Sequence, residues 1–323
     1  MAEQAYRLAP SGFTRTQWDD FMEEGFLIIE NALDSDEVAY YRNAIEQIAA
    51  ADPKFNPTKT YSISNAVERH RAVAEMIDHP RHVGYAYDIY GELLKLHISQ
   101  IFMRPKRGSH NIWHPDGARG VPYGVFSPEL PMQLKIGYWL TDLPEPKMGN
   151  FVYMPGSHRT HYLRGYDTHE SLPGERILTL KAGTMTLMHA SLWHRVEPNL
   201  SDVVRKNIFL AYCPSWICEA DRHRSNDAWL KTLNREQRII MRSYSSPYAR
   251  TKPPESDSPL FLDRDTGKDC DPESDSGVKL HRRKRQTWAE KQMGAPYEGP
   301  LAERFARRHS PALIEPKREM RAV

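Results

Sequence analysis

The chain has 323 residues, of which 40% are hydrophobic, so it can bury a substantial core and hold a full catalytic domain. Its 44 Lys and Arg residues nearly balance its 42 Asp and Glu residues, and a net charge of +2 excludes a strongly polyanion-seeking protein. We see no secretory signal, no apolar run near the ~20 residues that cross a bilayer, and too few cysteines for a disulfide scaffold. We therefore expect a cytoplasmic protein that binds neither membranes nor nucleic acid. Its 14 histidines are the unusual feature.

Residues 1–93 are predicted to form an N-terminal segment of helices and short strands that packs on the core. Thr14 or Thr16 can cap a short helix, which Gly25 ends. The apolar run 26–29 then predicts a buried strand. A second helix, with apolar residues at helical spacing, is predicted to follow.

Residues 94–245 show many short β-type runs separated by turn residues, which predicts a jelly-roll core, mainly β with flanking helices. A doubly wound fold would need long helices between these runs, and none is visible. A helix capped by Asn226 is predicted to complete this catalytic core. The predicted strands span 96–103, 133–140, 151–154, 184–188 and 207–212.

Residues 246–323 are predicted to form a polar, Pro-rich C-terminal extension. It contains an acidic stretch and then the basic run 281–285. Such tails more often wrap a surface, associate with another copy or stay mobile than carry chemistry. A homodimer is therefore possible.

His114 and Asp116 form a His-x-Asp motif, whose two side chains lie on the same side of an extended segment and can reach one metal ion. A second pair, His189 and His194, follows a predicted strand some eighty residues later. Two histidines and one carboxylate on one face of an octahedron are typical of non-haem Fe(II) oxygenases. Either His189 or His194 could be the distal ligand.

Arg205 lies eleven residues after His194, at the start of the last predicted strand. A planar guanidinium binds a carboxylate in two places, and a buried arginine without such a partner would be costly. This position suits a dicarboxylate co-substrate such as 2-oxoglutarate. Its keto-acid end would take two of the three open iron positions and leave one for dioxygen.

Over roughly residues 12 to 245 the chain resembles the phytanoyl-CoA dioxygenase family of Fe(II)/2-oxoglutarate oxygenases. The resemblance implies a double-stranded β-helix (cupin-like) core, with His114, Asp116 and His194 as iron ligands and Arg205 as the anchor of the distal carboxylate. The spacing to Arg205 favours His194 over His189 as the distal ligand. The residues that carry the resemblance are the run 24–30, His114-Pro115-Asp116, Gly149-Asn150 with Pro155-Gly156-Ser157-His158, and His189-x4-His194-x10-Arg205.

The resemblance implies two further co-substrate contacts. Gln100 lies in the strand before the metal motif, five residues ahead of Pro105, where the family often places such a contact. Tyr138 matches another such position by its distance from Gly149.

Arg119, His110 and Trp113 are predicted to contact the substrate. Arg119, like Lys106 and Arg107, flanks the metal motif on a loop and could pair with an anionic group, although charged loop residues are usually only solvated. His110 is expected at the mouth of the site. Trp113 precedes an iron ligand, and packing that shields the site is its commoner role.

The resemblance implies an Fe(II)- and 2-oxoglutarate-dependent dioxygenase that hydroxylates an unactivated C–H bond and releases succinate and CO2. The expected substrate is a small molecule, either a specialised metabolite or an acyl or amino-acid-derived compound, and ascorbate is the expected reductant in vitro. Desaturation, epoxidation or cyclisation are alternative outcomes in the same fold. A second alternative is a non-catalytic metal- or ligand-binding jelly-roll protein.

Overall fold

The computed structural model describes residues 6–117, 125–160, 163 and 168–262. Within these residues the chain forms two antiparallel sheets with helices against the larger one. The strands are β1 (Phe26–Ile29), β2 (Tyr61–Ser64), β3 (Leu94–Arg104), β4 (Leu134–Trp139), β5 (Phe151–Tyr153), β6 (Arg176–Ile177), β7 (Met185–His189), β8 (His194–Val196) and β9 (Arg205–Pro214).

Seven α-helices flank these strands within the described ranges. They are α1 (Arg15–Glu24), α2 (Ser35–Ala51), α3 (Arg71–Ala74), α4 (Val83–Tyr90), α5 (Asp227–Leu230), α6 (Arg235–Met241) and α7 (Pro247–Thr251). In this part of the chain, no helix combines the length and the apolar character needed to cross a membrane. The helix predicted after Asn226 is divided into α5 and α6, because Asn234 caps a new helix.

Reciprocal caps begin the first two helices. Oγ1 of Thr14 accepts a hydrogen bond from the Gln17 backbone N–H, and Oε1 of Gln17 accepts one from the Thr14 backbone N–H, so Thr14 is the cap. Asp34 and Glu37 form the same pair at the start of α2. Gly25 ends α1 at φ +77°, in the left-handed region that glycine adopts without strain.

The six-stranded sheet has the order β1-β7-β4-β9-β3-β2, and the three-stranded sheet the order β6-β5-β8. Alternation along each strand separates two cores. On β4, Ile136 and Tyr138 face the helices, whereas Trp139 faces the smaller sheet together with Phe151 and Phe209. Each fully buried large side chain contributes about 1.5–3 kcal/mol to folding. This arrangement confirms the predicted jelly roll.

The chain between α7 and the end of the described range packs on the main core. Leu260 and Phe261 are buried there, and Leu262 pairs with Leu8 in a parallel bridge. These residues belong to the predicted C-terminal extension. Residues 263–323, with the acidic and basic runs, lie outside the described residues.

Candidate metal centre

His114 and His194 are held together by backbone pairing. The two residues exchange N–H···O bonds of 2.9 and 3.0 Å, which brings their rings to 4.2 Å between centroids. The Asp116 amide donates to the Ala190 carbonyl at 2.7 Å, which fixes the rest of the motif. Potential ligand atoms of His114, Asp116 and His194 all lie within 4.8 Å of one another. The two segments therefore present three ligands to one point.

Both histidines direct the same nitrogen towards Asp116. Nδ1 of His114 lies 2.7 Å from the Ile112 carbonyl and Nδ1 of His194 lies 3.0 Å from the Leu192 carbonyl. Because a carbonyl only accepts, each Nδ1 carries the proton and each Nε2 keeps a lone pair. Burial, with His114 nearby, lowers the pKa of His194 to about 3. His194 is therefore neutral at physiological pH, as a metal ligand must be.

Asp116 has one oxygen tied to a lysine. Lys135 Nζ donates to Oδ2 of Asp116 at 2.5 Å, whereas Oδ1 lies 3.9 Å from Nε2 of His114. Burial alone would raise the pKa of Asp116, but Lys135 and the two histidines lower it below its usual range. The carboxylate is ionised, and Oδ1 is available to a metal ion.

Arg205 is buried at 1% exposure. Its Nε and one Nη donate to Oδ1 of Asn207 at 3.1 and 2.9 Å, the other Nη donates to the Gly149 carbonyl, and the guanidinium lies 4.8 Å from the Trp139 ring centroid. Within the described residues it forms no ion pair. Nδ2 of Asn207 is buried without a hydrogen-bond partner. A buried cation beside an unused N–H donor fits a carboxylate ligand.

Arg104 is a second buried arginine, which the sequence did not single out. It stands opposite Arg205 in the β3–β9 register and donates to the Ser109 carbonyl and to Asn111. Burial lowers the pKa of Arg104 to about 10; burial and the charge of Arg104 lower that of Arg205 well below its ordinary value. Arg104 also forms no ion pair within the described ranges. Two adjacent cations strengthen the attraction for a dianion.

A cavity of about 700 Å³ opens beside Asp116. Gln100, which is predicted to contact the co-substrate, is one of the residues that line it. The other lining residues are His97, Ile98, Gly117, Val125, Met132, Gln133, Lys135, Trp216, Ile217, Cys218, Glu219 and Ala220. Of the charged ones, Lys135 and Glu219 were not foreseen. A lysine in the apolar strand run 133–140 was the available signal.

The prediction for Tyr138 is corrected by the structure. Tyr138 lies three positions after Lys135 on the same strand, so its side chain points to the opposite face. There it is fully buried, and its hydroxyl lies 2.8 Å from Nδ1 of His82. Tyr138 cannot contact a co-substrate bound at Arg205.

Two of the three predicted substrate contacts, Trp113 and His110, do not line the cavity. Trp113 is 1% exposed, packs against Val152 and Trp193, and donates its indole N–H to the Glu170 carbonyl. It is a packing residue and not part of the cavity wall, which corrects the prediction. The His110 ring lies 4.4 Å from that of His169 and does not line the cavity. Arg119 lies outside the described residues.

The structure also locates His189, the alternative distal ligand, and Lys106, a candidate contact for an anionic group. His189 is buried near His158, at 4.8 Å between ring centroids, and is not among the three grouped ligands. Lys106 pairs at the surface with Asp202, at 2.8 Å between Nζ and Oδ1. The structure therefore groups His194, and not His189, with the His-x-Asp motif.

A protein-family model for phytanoyl-CoA dioxygenase matches residues 21–207. The ectoine dioxygenase of Nocardia farcinica is 28% identical over 235 residues, which cover 61% of this chain and 76% of that protein. The fold is similar to HygX from Streptomyces hygroscopicus with nickel and 2-oxoglutarate bound, at TM-score 0.57 and 22% identity, covering 65% and 90% of the chains. It is also similar to the α-ketoglutarate-dependent carbocyclase SnoK from nogalamycin biosynthesis, at TM-score 0.52 and 23% identity, covering 69% and 94%.

Proposed function

The chain belongs to the phytanoyl-CoA dioxygenase family of iron- and 2-oxoglutarate-dependent oxygenases, and from this membership we propose that it hydroxylates a C–H bond of a small molecule. The observation that carries the proposal is the convergence of His114, Asp116 and His194, in a fold whose buried Arg205 has no carboxylate partner among the described residues. The donor set of two imidazoles and one carboxylate fits iron(II) and leaves three positions open. Iron held by these residues would supply, with 2-oxoglutarate and dioxygen, the oxidising power for breaking a C–H bond, with succinate and CO2 as co-products.

The protein's own contribution at the metal is a set of ligands that need no rearrangement. The carbonyls of Ile112 and Leu192 hold the two imidazoles in the tautomer that leaves Nε2 free. Lys135 keeps Oδ2 of Asp116 occupied, so that Oδ1 is the natural ligand atom. Preorganised ligands of this kind retain open positions for co-substrate and dioxygen.

Arg205 would bind the distal carboxylate of 2-oxoglutarate through its guanidinium, with the unused N–H of Asn207 as a further donor. Burial strengthens this pairing because few water molecules compete for the carboxylate. Gln100, on β3, lines the cavity beside Asp116 and would contact the co-substrate from there. The co-substrate would thus be oriented before the substrate enters the cavity.

The cavity beside Asp116 would hold the substrate. Its volume of about 700 Å³ falls in the range of small-molecule sites, and HygX, which has the same fold, has been crystallised with hygromycin B bound. These observations support a small-molecule substrate.

The experiment combines purified protein with Fe(II), ascorbate and 2-oxoglutarate and measures succinate. Wild type should convert 2-oxoglutarate slowly without substrate, and His114→Ala and Asp116→Ala should lose both this turnover and iron binding. Wild-type turnover in either variant would contradict the ligand assignment. A wild-type protein that binds no iron would instead favour the non-catalytic alternative.

Ring formation is a second candidate outcome, favoured by the fold shared with the carbocyclase SnoK. Hydroxylation adds one oxygen atom from dioxygen to the product, whereas ring formation or desaturation removes two hydrogen atoms. Mass spectrometry of the product made under ¹⁸O₂ separates the two.

A further inference from the structure

We propose that Lys135 binds an anionic group of the substrate, so that the substrate of this oxygenase carries a carboxylate or a similar oxyanion close to the carbon that is oxidised. The inference rests on the proposed function, because it places the substrate in the cavity beside Asp116.

Lys135 has more hydrogen-bonding capacity than the described residues use. Its side chain is 13% exposed, it lines the cavity, and its ammonium lies 4.8 Å from the Phe209 ring centroid. Asp116 is its one hydrogen-bond partner within the described residues, and an ammonium has three donors. A nearly buried cation with unused donors beside a cavity is a binding position for an anion.

The charges around the metal lead to the same conclusion. Iron(II) with Asp116 would carry one net positive charge, and 2-oxoglutarate with Arg205 would carry one net negative charge. These two pairs cancel, so the charge of Lys135 is left over, and buried Arg104 adds to it. Uncompensated positive charge in a partly buried site attracts an anion strongly.

The remaining charges of the cavity wall do not supply the missing anion. Glu219 is 11% exposed and lies 3.7 Å from Nζ of Lys95, which is itself buried. Burial, with the charge of Lys95, lowers the pKa of His97 to about 4, so this residue is neutral. Asp116 is therefore the one carboxylate paired with Lys135 among the described lining residues, and once its charge is counted against the metal, no other described carboxylate of the wall balances Lys135. The bond of Lys135 to Asp116 also places a bound anion close to the metal, which limits how far the oxidised carbon can lie from it.

The test is a binding comparison of matched probes. Protein loaded with Ni(II) and saturating 2-oxoglutarate is titrated with benzoate, cyclohexanecarboxylate and phenylphosphonate, and with benzamide and cyclohexanecarboxamide as neutral partners. We expect at least one acid to bind about tenfold tighter than its amide or, for the phosphonate, than benzamide. Lys135→Met should abolish the preference, Lys135→Arg should retain it, and Lys106→Met, which removes an exposed charge, should leave it unchanged.

Equal affinities of acids and amides in wild type, the absence of binding by any acid, or an acid preference that survives in Lys135→Met would each overturn the proposal. The wild-type comparison stands even if the Lys135 variants fail to fold. Loading is checked first with Fe(II) under nitrogen, by the visible absorption of its 2-oxoglutarate complex. Failure at that step contradicts the proposed function, whereas loading without an acid preference contradicts this inference alone.

Discussion

The Tyr138 hydroxyl donates a hydrogen bond of 2.8 Å to Nδ1 of His82 within the main core. The direction follows from Tyr212, whose hydroxyl donates to the Ile77 carbonyl at 2.9 Å and therefore accepts from Nε2–H of His82. His82 is thus fully paired only while both tyrosines are present.

Tyr138→Phe should lower the free energy of unfolding by about 1–3 kcal/mol, because Nδ1 of His82 is left buried without a donor. The KM for 2-oxoglutarate should not change, since Tyr138 faces away from Arg205. Urea unfolding and co-substrate kinetics measure the two effects. The control is Tyr40→Phe, which removes an exposed bond to Glu75 and should cost less than about 0.5 kcal/mol. A raised KM in Tyr138→Phe would restore the predicted co-substrate role.

Arg205→Met should separate co-substrate binding from folding. Removing a buried cation that lacks an ion pair leaves no carboxylate stranded, but it leaves Oδ1 of Asn207 and the Gly149 carbonyl buried without their donors, so the unliganded variant should fold with a free energy of unfolding lower by about 1–3 kcal/mol. The KM for 2-oxoglutarate should rise roughly 30- to 1,000-fold through loss of a charge-assisted contact. In the presence of Ni(II), addition of 2-oxoglutarate should raise the melting temperature of wild type but not of the variant. An unchanged KM would remove Arg205 from the co-substrate site.

His97 should make folding sensitive to mild acid. Burial and the charge of Lys95 lower its pKa to about 4, and the unfolded chain binds the proton near pH 6.5. The unfolded state therefore takes up a proton first as the pH falls. The free energy of unfolding is unaffected by His97 above about pH 6.5 and decreases progressively from there down to about pH 4. The loss is about 1–3 kcal/mol, since the group is partly solvated. His97→Gln should flatten this part of the stability profile, measured by urea unfolding from pH 7.5 to 4, with exposed His223→Gln as control. A profile identical to wild type would exclude His97 as the source.

Gly25 and Gly174 provide a matched pair for backbone strain. Both have positive φ, +77° and +87°. A Cβ at Gly25 would lie 2.4 Å from Nδ1 of His158, whereas a Cβ at Gly174 would meet only the Met154 sulfur at 3.8 Å. Gly174→Ala should cost about 1–2 kcal/mol from the left-handed conformation alone, and Gly25→Ala clearly more. If denaturant unfolding shows that both variants lose the same free energy of unfolding, the backbone at the end of α1 can shift to accommodate the added Cβ.

Sequence patterns predicted the fold well where local periodicity and burial agree. The run 26–29, the cap of α1 and the five core strands follow from local patterns of alternation and capping residues. The facing of Tyr138 did not follow from spacing to Gly149, because only the register of β4 against its neighbours decides which side chains meet the metal. Lys135 and Arg104 were missed for the same reason, since their significance comes from residues distant in the chain.

The substrate contacts show the same limit. Trp113 and His110 lie near the metal motif in sequence, but the extended backbone directs their side chains away from the cavity. Lys106 and Arg119 suggested an anionic substrate through their charge. Lys135 is the better candidate to bind an anionic substrate group, because it is nearly buried beside the cavity, whereas Lys106 is paired with Asp202 at the surface.

The bridge between Leu8 and Leu262 has a consequence for synthesis of the protein. The Ala9 amide donates to the Leu262 carbonyl and the Leu262 amide to the Arg7 carbonyl, both at 2.8 Å. The earliest described residues therefore find their partner only after Leu262 has left the ribosome. Until then the N-terminal edge stays open, and a chain that stops at residue 245 would never close it.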